Sequence, residues 1–229
     1  AELIAKSDLV ITCSSPLQAS KSKLNPRCVL VRHGVEHAHF AQALASATPI
    51  PADVRDLPRP ILGFYGLVAE WVDLEALART AEAYPHGSVV VVGEHNNANT
   101  AGLARLRALA NVHFLGRKPY AQLPGYCPAF DVALLPFVKN ELTANANPLK
   151  LREYLAAGLP VVSTDIPEAR AVAERGVYLA DGADAFVTRV GEALQQGAGP
   201  DRARSDAMAH ESWDQKVADI ETLLMELKP

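Results

Sequence analysis

Apolar residues fall along the chain in short runs, separated by segments of helical spacing. The runs are 8–13 (DLVITC), 28–32 (CVLVR), 61–66 (ILGFYG), 88–93 (SVVVVG), 111–116 (NVHFLG), 131–137 (DVALLPF), 159–164 (LPVVST) and 176–180 (GVYLA). They are rich in Val, Ile and Leu and mostly lack strict alternation with polar residues. That pattern predicts strands covered on both faces, as in a parallel sheet. Between them, 72–84 sets Leu74, Leu77, Ala78 and Ala81 on one helical stripe, and 100–110 does the same with Leu103, Leu106 and Ala110. Strand and helix in alternation predict an α/β fold with a doubly wound parallel sheet.

The ends depart from this rhythm. Residues 41–60 hold four prolines and little apolar periodicity, and read as a linker. Residues 1–40 supply only a strand, a helix and a strand before the crossover, and so short a piece rarely folds alone. They read as the tail of a domain whose earlier part is absent. Near the other end, Trp213, Val217, Ile220 and Leu224 share a stripe, which predicts a helix packed on the second domain or returning to the first. The expected division is 1–40 (tail of a first domain and crossover), 41–60 (linker), 61–205 (second domain) and 206–229 (C-terminal helix).

Composition narrows the function only slightly. Hydrophobic residues make up 49% and charged residues 21%, an ordinary globular balance. A net charge of −4 gives no electrostatic reason to expect nucleic acid or an anionic membrane as partner. No apolar run approaches the roughly 18 residues needed to span a bilayer. The first residues lack a basic-then-apolar signal pattern. Cys13, Cys28 and Cys127 share no metal-type spacing and read as reduced thiols of a cytoplasmic protein, with work at the inner membrane face left open.

Candidate chemistry concentrates in NANPLKLREYLAAGLPVVST, residues 145–164. Proline is favoured at the first helical position, so Pro148 predicts a helix start with Asn147 as its N-cap. Gly158 predicts its stop, with Pro160 leading into the next strand. Leu151, Leu155 and Tyr154 take the core side. Lys150 and Glu153, three apart, share another face. A helix start offers free N–H groups and about half a positive charge. In an open α/β sheet it points into the crevice beyond the strand ends. A diphosphate there meets the backbone of Asn147, Pro148 and Leu149 and the charge of Lys150. Glu153, roughly 4.5 Å further along the axis, suits a ribose diol. The same spacing also describes an exposed ion pair, worth at most about 0.5 kcal/mol.

This stretch resembles the donor-binding motif of retaining glycosyltransferases of the GT-B fold, and is most similar to bacterial family-4-type enzymes of polysaccharide assembly. Other stretches match in order: DLVITCSSPLQASK the end of the first domain, VLVRHGVEHAHF the crossover, ILGFYGLVAEWVDLEAL the opening of the second domain, VHFLGRKPYAQLPGY the base-binding loop, and SWDQKVADIETLL the returning helix. The resemblance implies a Rossmann-like donor-binding domain over 61–205, with a remnant of the first domain before it. It implies that Glu153, second acid of the E-x7-E motif, holds the ribose. Lys150 and the backbone of Asn147–Leu149 hold the diphosphate, and Lys150 stabilises it as it leaves. The backbone of Arg117 and Lys118 recognises the base, and Gly66 and Leu67 form the tight turn at the donor phosphates. Two departures stand out. The first acid of the motif is Asn145 here, and the loop GLVAEWVD lacks the family's basic pair.

The remaining candidates are weaker. His33, His37 and His39 lie close together, but no fourth metal ligand stands nearby. Gly63 and Gly66 lack dinucleotide spacing, and neither a Walker loop nor a G-x-S-x-G elbow occurs. Glu141 is a candidate displaced acid, and Trp71 either covers the pocket or packs. The resemblance thus implies transfer of a sugar, with retention, from a nucleotide diphosphate donor, a UDP-sugar ahead of a GDP-sugar. No cofactor and no metal are expected. The acceptor is expected to be a sugar or a lipid-linked molecule bound through the first domain, with peripheral membrane association open. The catalytic base is unassigned. The alternatives are a non-catalytic nucleotide-sugar-binding module and a GT-B-type sugar-nucleotide epimerase.

Overall fold

The computed structural model describes residues 1–95 and 100–227. Residues 96–99, inside the 61–205 range, and 228–229, at the end of the C-terminal range, lie outside them. All eight predicted runs form strands, trimmed at their ends: β1 (Val10–Thr12), β2 (Cys28–Leu30), β3 (Ile61–Tyr65), β4 (Ser88–Val92), β5 (Val112–Gly116), β6 (Val132–Leu135), β7 (Val161–Thr164) and β8 (Val177–Ala180). β1 and β2 pair in parallel as a separate two-stranded sheet. The other six form one sheet in the order β5-β4-β3-β6-β7-β8, with every pairing parallel. The chain starts in the middle at β3, runs out to β5, crosses back to β6 and runs out to β8. The order therefore reverses between β3 and β6, the switch point where such sheets open a crevice.

Burial explains the unbroken apolar runs. Every position of β3, β4, β6 and β7 is buried, whereas β5 and β8 at the edges are partly open. One face is covered by the helices Leu74–Ala83, Thr100–Ala108 and Ala183–Gly197 through residues such as Leu77, Leu106, Phe186 and Val190. The other is covered by the helix Leu149–Ala156 and the shorter turns around it, through Tyr126, Leu151, Tyr154 and Leu155. The predicted stripes hold, with one correction. The second helix ends at Ala108, so Ala110 lies beyond it and is exposed rather than packed. Residues 41–60 carry a 3-10 turn, Ala41–Leu44, and a short helix, Ala52–Arg55, whose Val54 is fully buried. Among the described residues no helix is long and apolar enough to cross a membrane.

The small sheet is fastened to the large one by buried charge. Glu168, 1% exposed, accepts from the Ser15 amide at 2.7 Å, from the Ser15 hydroxyl at 2.9 Å and from Arg32 at 2.6 Å. The helix Trp213–Met225 lies towards the small sheet. Trp213, Val217 and Ile220 line an apolar hollow with Ile11, Leu17 and Val31. Gly34 lets the crossover pass against the Trp213 backbone, and the Val35 amide donates to the Glu211 carbonyl at 2.8 Å.

Candidate functional site

Two adjoining hollows open at the ends of β3 and β4, beside the switch point. The larger, about 670 Å³, is lined by Tyr65, Gly66, Lys150 and Glu153 together with His33, Trp71, Tyr120, Leu142, Thr143 and residues 146–149. The smaller, about 400 Å³, shares Tyr65, Gly66 and Leu123 with it and adds Leu67, Glu94, Arg117 and Lys118. The sheet explains this convergence. β3 ends at Tyr65, and Gly66 turns away with φ +131° while its amide donates to the Val92 carbonyl at 2.8 Å. A side chain at Gly66 would be strained by that φ, and its first carbon would stand 2.0 Å from Cε of Lys150. The missing side chain is thus the seat of the lysine.

The helix Leu149–Ala156 carries the charged pair. Its N-cap is Pro148, not Asn147, and no side chain caps it. The local rule is overridden by tertiary partners. Asn147 is buried, donates its side-chain amide to the Cys13 carbonyl at 2.7 Å and accepts from Arg152 Nε at 3.3 Å. Its own carbonyl accepts from His33 Nδ1 at 2.9 Å. Among the described residues the amides of Leu149 and Lys150 donate to no carbonyl and remain open at the helix start. Tyr154 anchors the helix to β3, with its Oη accepting from the Tyr65 amide at 2.8 Å and the two rings 4.4 Å apart. Gly158, with φ +81°, stops the helix where the sequence predicts.

Lys150 and Glu153 face the cavity, and no ion pair joins either to a partner among the described residues. The Lys150 ammonium sits 5.3 Å from the centre of the Phe64 ring and 5.6 Å from that of Phe137, which favours a cation weakly. Burial lowers its pKa to about 8, partly offset by the field of Glu153. Burial likewise raises the Glu153 carboxyl to about 7, against the relief given by the nearby Tyr65 hydroxyl and by Lys150. The Tyr65 hydroxyl is buried and lies near Glu153 without reaching hydrogen-bond geometry to it or to any other group among the described residues. Two half-buried ionisable groups, without ion-pair partners among the described residues and beside an open helix start, can receive charge and hydroxyls.

These two shifts each add a pH dependence to the stability of the unliganded fold. Glu153 keeps its proton in the fold up to about 7 against a reference value of 4.5, so stability falls as pH rises through that window. Lys150, lowered to about 8 from 10.5, makes stability recover as pH rises from about 8 to 10.5. Glu153→Gln should therefore flatten the decline between about 4.5 and 7, and should raise stability above pH 7. Urea denaturation at a series of pH values checks this, and equal slopes in the two proteins would contradict the burial of the carboxyl.

The other predicted residues divide. Leu67, Arg117 and Lys118 all line the smaller hollow. The Arg117 side chain is open and lies 3.8 Å from Glu94, whereas the Lys118 ammonium is taken by Asp53 at 2.7 Å and leaves mainly its backbone to a ligand. Asn145 is not brought in. Its amide donates to the Glu141 carbonyl at 2.7 Å, and it lies outside the lining of the cavity, as does Glu141. Trp71 both lines the cavity and packs on the two cores. The three histidines take three separate partners: His33 the Asn147 carbonyl, His37 the Ser205 carbonyl and His39 the Tyr120 carbonyl. Sequence reasoning missed Tyr65, Phe64 and Phe137, which surround the charged pair. A strand end and a neighbouring loop carry no local mark of that role.

A model of the family "Glycosyl transferases group 1" matches residues 59–196, which contain both hollows except His33. Over 177 residues the chain is 27% identical to TuaH of Bacillus subtilis (strain 168), named as a glycosyltransferase of teichuronic acid biosynthesis. The match covers 73% of this chain and 43% of that relative, so the chain spans less than half the length of the relative. Among solved structures, Anabaena HepE in complex with UDP superposes with a TM-score of 0.67 at 16% identity, covering 96% of this chain and 64% of that one. A UDP-forming trehalose-phosphate synthase from Burkholderia xenovorans gives 0.69 at 14%, covering 99% and 63%. These likenesses give the GT-B glycosyltransferase fold. With the family model covering more than half of its length, the chain belongs to the group 1 glycosyl transferases.

Proposed function

We propose that this chain binds the donor of a sugar transfer, holding the nucleoside diphosphate of an activated sugar in the two hollows. The protein passes that sugar to an acceptor with retention of configuration, in assembly of a bacterial polysaccharide. One observation carries the reading. A half-buried ammonium, joined to no ion pair among the described residues, stands beside an open helix start, with a half-buried carboxylate one turn along the same face. The diphosphate takes the Leu149 and Lys150 amides and the Lys150 charge, and the ribose diol donates to Glu153. The base lies in the smaller hollow against the Arg117–Lys118 backbone. As the bond from the anomeric carbon to the diphosphate oxygen breaks, the diphosphate leaves with the electron pair, and Lys150 stabilises the charge it gains. The relative solved with UDP supports a uridine donor, and the TuaH likeness supports polysaccharide assembly. The retaining outcome rests on the resemblance of the 145–164 stretch.

The test is thermal unfolding with uridine, guanosine and adenosine diphosphates. UDP should raise the melting temperature, as any ligand selective for the folded state does, by about 2.7 kcal/mol of stability at a hundredfold excess over Kd. No shift with any of the three would refute the reading. A second reading, a binding module without transfer, is favoured by Asn145 turning onto its own helix rather than into the cleft. Release of UDP separates the two: turnover of a bound UDP-sugar, followed by chromatography of UDP, supports transfer, and intact donor after prolonged incubation with acceptor glycans supports the module.

A further inference from the structure

Tyr65 ends β3 where the two hollows meet, and it lines both. The residue is 2% exposed. Its backbone is pinned from the donor helix: the amide donates to Tyr154 Oη at 2.8 Å, and that hydroxyl donates to the Tyr65 carbonyl at 3.5 Å. Its ring packs on those of Tyr154, 4.4 Å away, and Phe40, 6.3 Å away and nearly parallel. The side-chain hydroxyl, by contrast, is buried with no hydrogen-bond partner among the described residues. Its polar neighbours are Glu153, Cys127 and Tyr154. The Tyr154 hydroxyl is spent on the Tyr65 backbone, and the Cys127 thiol on the Leu123 carbonyl at 3.5 Å. Glu153 is then the neighbour with acceptor capacity to spare. A buried hydroxyl left unpaired costs stability, and phenylalanine would fill the same space without that cost.

Resting on the nucleotide-sugar reading of the cleft, we propose that Tyr65 is a positioning residue for Glu153: with the ribose in place, its hydroxyl donates to one carboxylate oxygen and leaves the other turned to the diol. An ionised carboxylate only accepts, with room for about four hydrogen bonds over its two oxygens, and a phenol is a donor suited to it. The other cation on this face, Lys150, is taken up by the diphosphate. A turn of the Glu153 side chain closes the contact, and the hydroxyl exchanges its unpaired state in the empty cleft for a charge-assisted bond in the filled one.

Calorimetry on the full chain tests this with UDP and GDP, each beside its 2′,3′-dideoxy form, which lacks the diol. In the series that binds, the ribose form should bind roughly 10-fold or more tighter than the dideoxy form, the scale of a hydrogen bond to a charged group. Tyr65→Phe should weaken the ribose form roughly 3- to 10-fold and leave the dideoxy form within about twofold. Its melting temperature should equal or exceed that of the parent, because the ring stays and the unpaired hydroxyl goes. In a Glu153→Gln background Tyr65→Phe should leave the ratio of the two affinities unchanged, since both residues act on one interaction. Equal losses for the two nucleotides, or a ratio that Tyr65→Phe does not move, would overturn the positioning role while leaving the site reading intact. A ratio near one in the parent would take the diol away from Glu153, and this inference with it. Failure of both UDP and GDP to bind would remove the site reading and the inference together.

Discussion

Lys150→Ala should weaken binding of a nucleoside diphosphate by roughly 10- to 150-fold at pH 7, read by calorimetry. The figure follows from the about 1.5–3 kcal/mol carried by a hydrogen bond to a charged group. Two features of the cleft argue for the upper half of that range. The ammonium is half-buried and, among the described residues, has no carboxylate within ion-pair distance, so a bound diphosphate becomes its first contacting counter-charge. The loop after β3, GLVAEWVD, offers no Lys or Arg to replace it. Lys150→Met separates charge from packing. It keeps a stem against Phe64 and Phe137 and removes the charge that burial disfavours. Its melting temperature should match or exceed that of the parent while its binding falls as far as that of the alanine variant. A methionine variant that binds as tightly as the parent would show that Lys150 only fills space.

Gly66→Ala should reproduce that loss from across the cleft. The backbone at φ +131° is strained for any side chain, at about 1–3 kcal/mol, and the new methyl would take the place of Lys150 Cε. The lysine is flexible and moves aside, so the fold survives with a melting temperature lower by several degrees. The ammonium, however, no longer lies at the helix start. The double variant Gly66→Ala/Lys150→Ala should then bind little worse than either single one, because residues sharing one interaction do not act additively. Fully additive losses would separate the glycine from the lysine and break the link drawn between turn and charge.

The sheet was legible because its strands are buried on both faces and so appear as unbroken apolar runs. Gly158 was legible because a left-handed stop favours glycine whatever surrounds it. The helix start was misread, and the reason lies far away in sequence. Asn147 has the side chain of an N-cap, but the Cys13 carbonyl and Arg152 claim it, and the first of these stands 134 residues distant. Arg152 itself, charged and 2% exposed, gives no sequence sign that it is buried against Glu211. Lys150 and Glu153 were legible as a pair but not as one that lines a cavity, since the same spacing serves an exposed ion pair. What decides is the packing of the Phe64 and Phe137 rings and the bare Gly66, brought together only by the crossing from β3 to β6. Asn145 shows the opposite case. It sits in the motif, yet its amide turns back to Glu141 and away from the cleft.

The most direct measurement is a crystal structure of the chain grown with UDP. It should show the diphosphate on the Leu149 and Lys150 amides with the Lys150 ammonium in contact, the ribose diol on Glu153, and the base beside the Arg117–Lys118 backbone. A nucleotide bound elsewhere, or one placed here with Lys150 and Glu153 both directed away from it, would contradict the account.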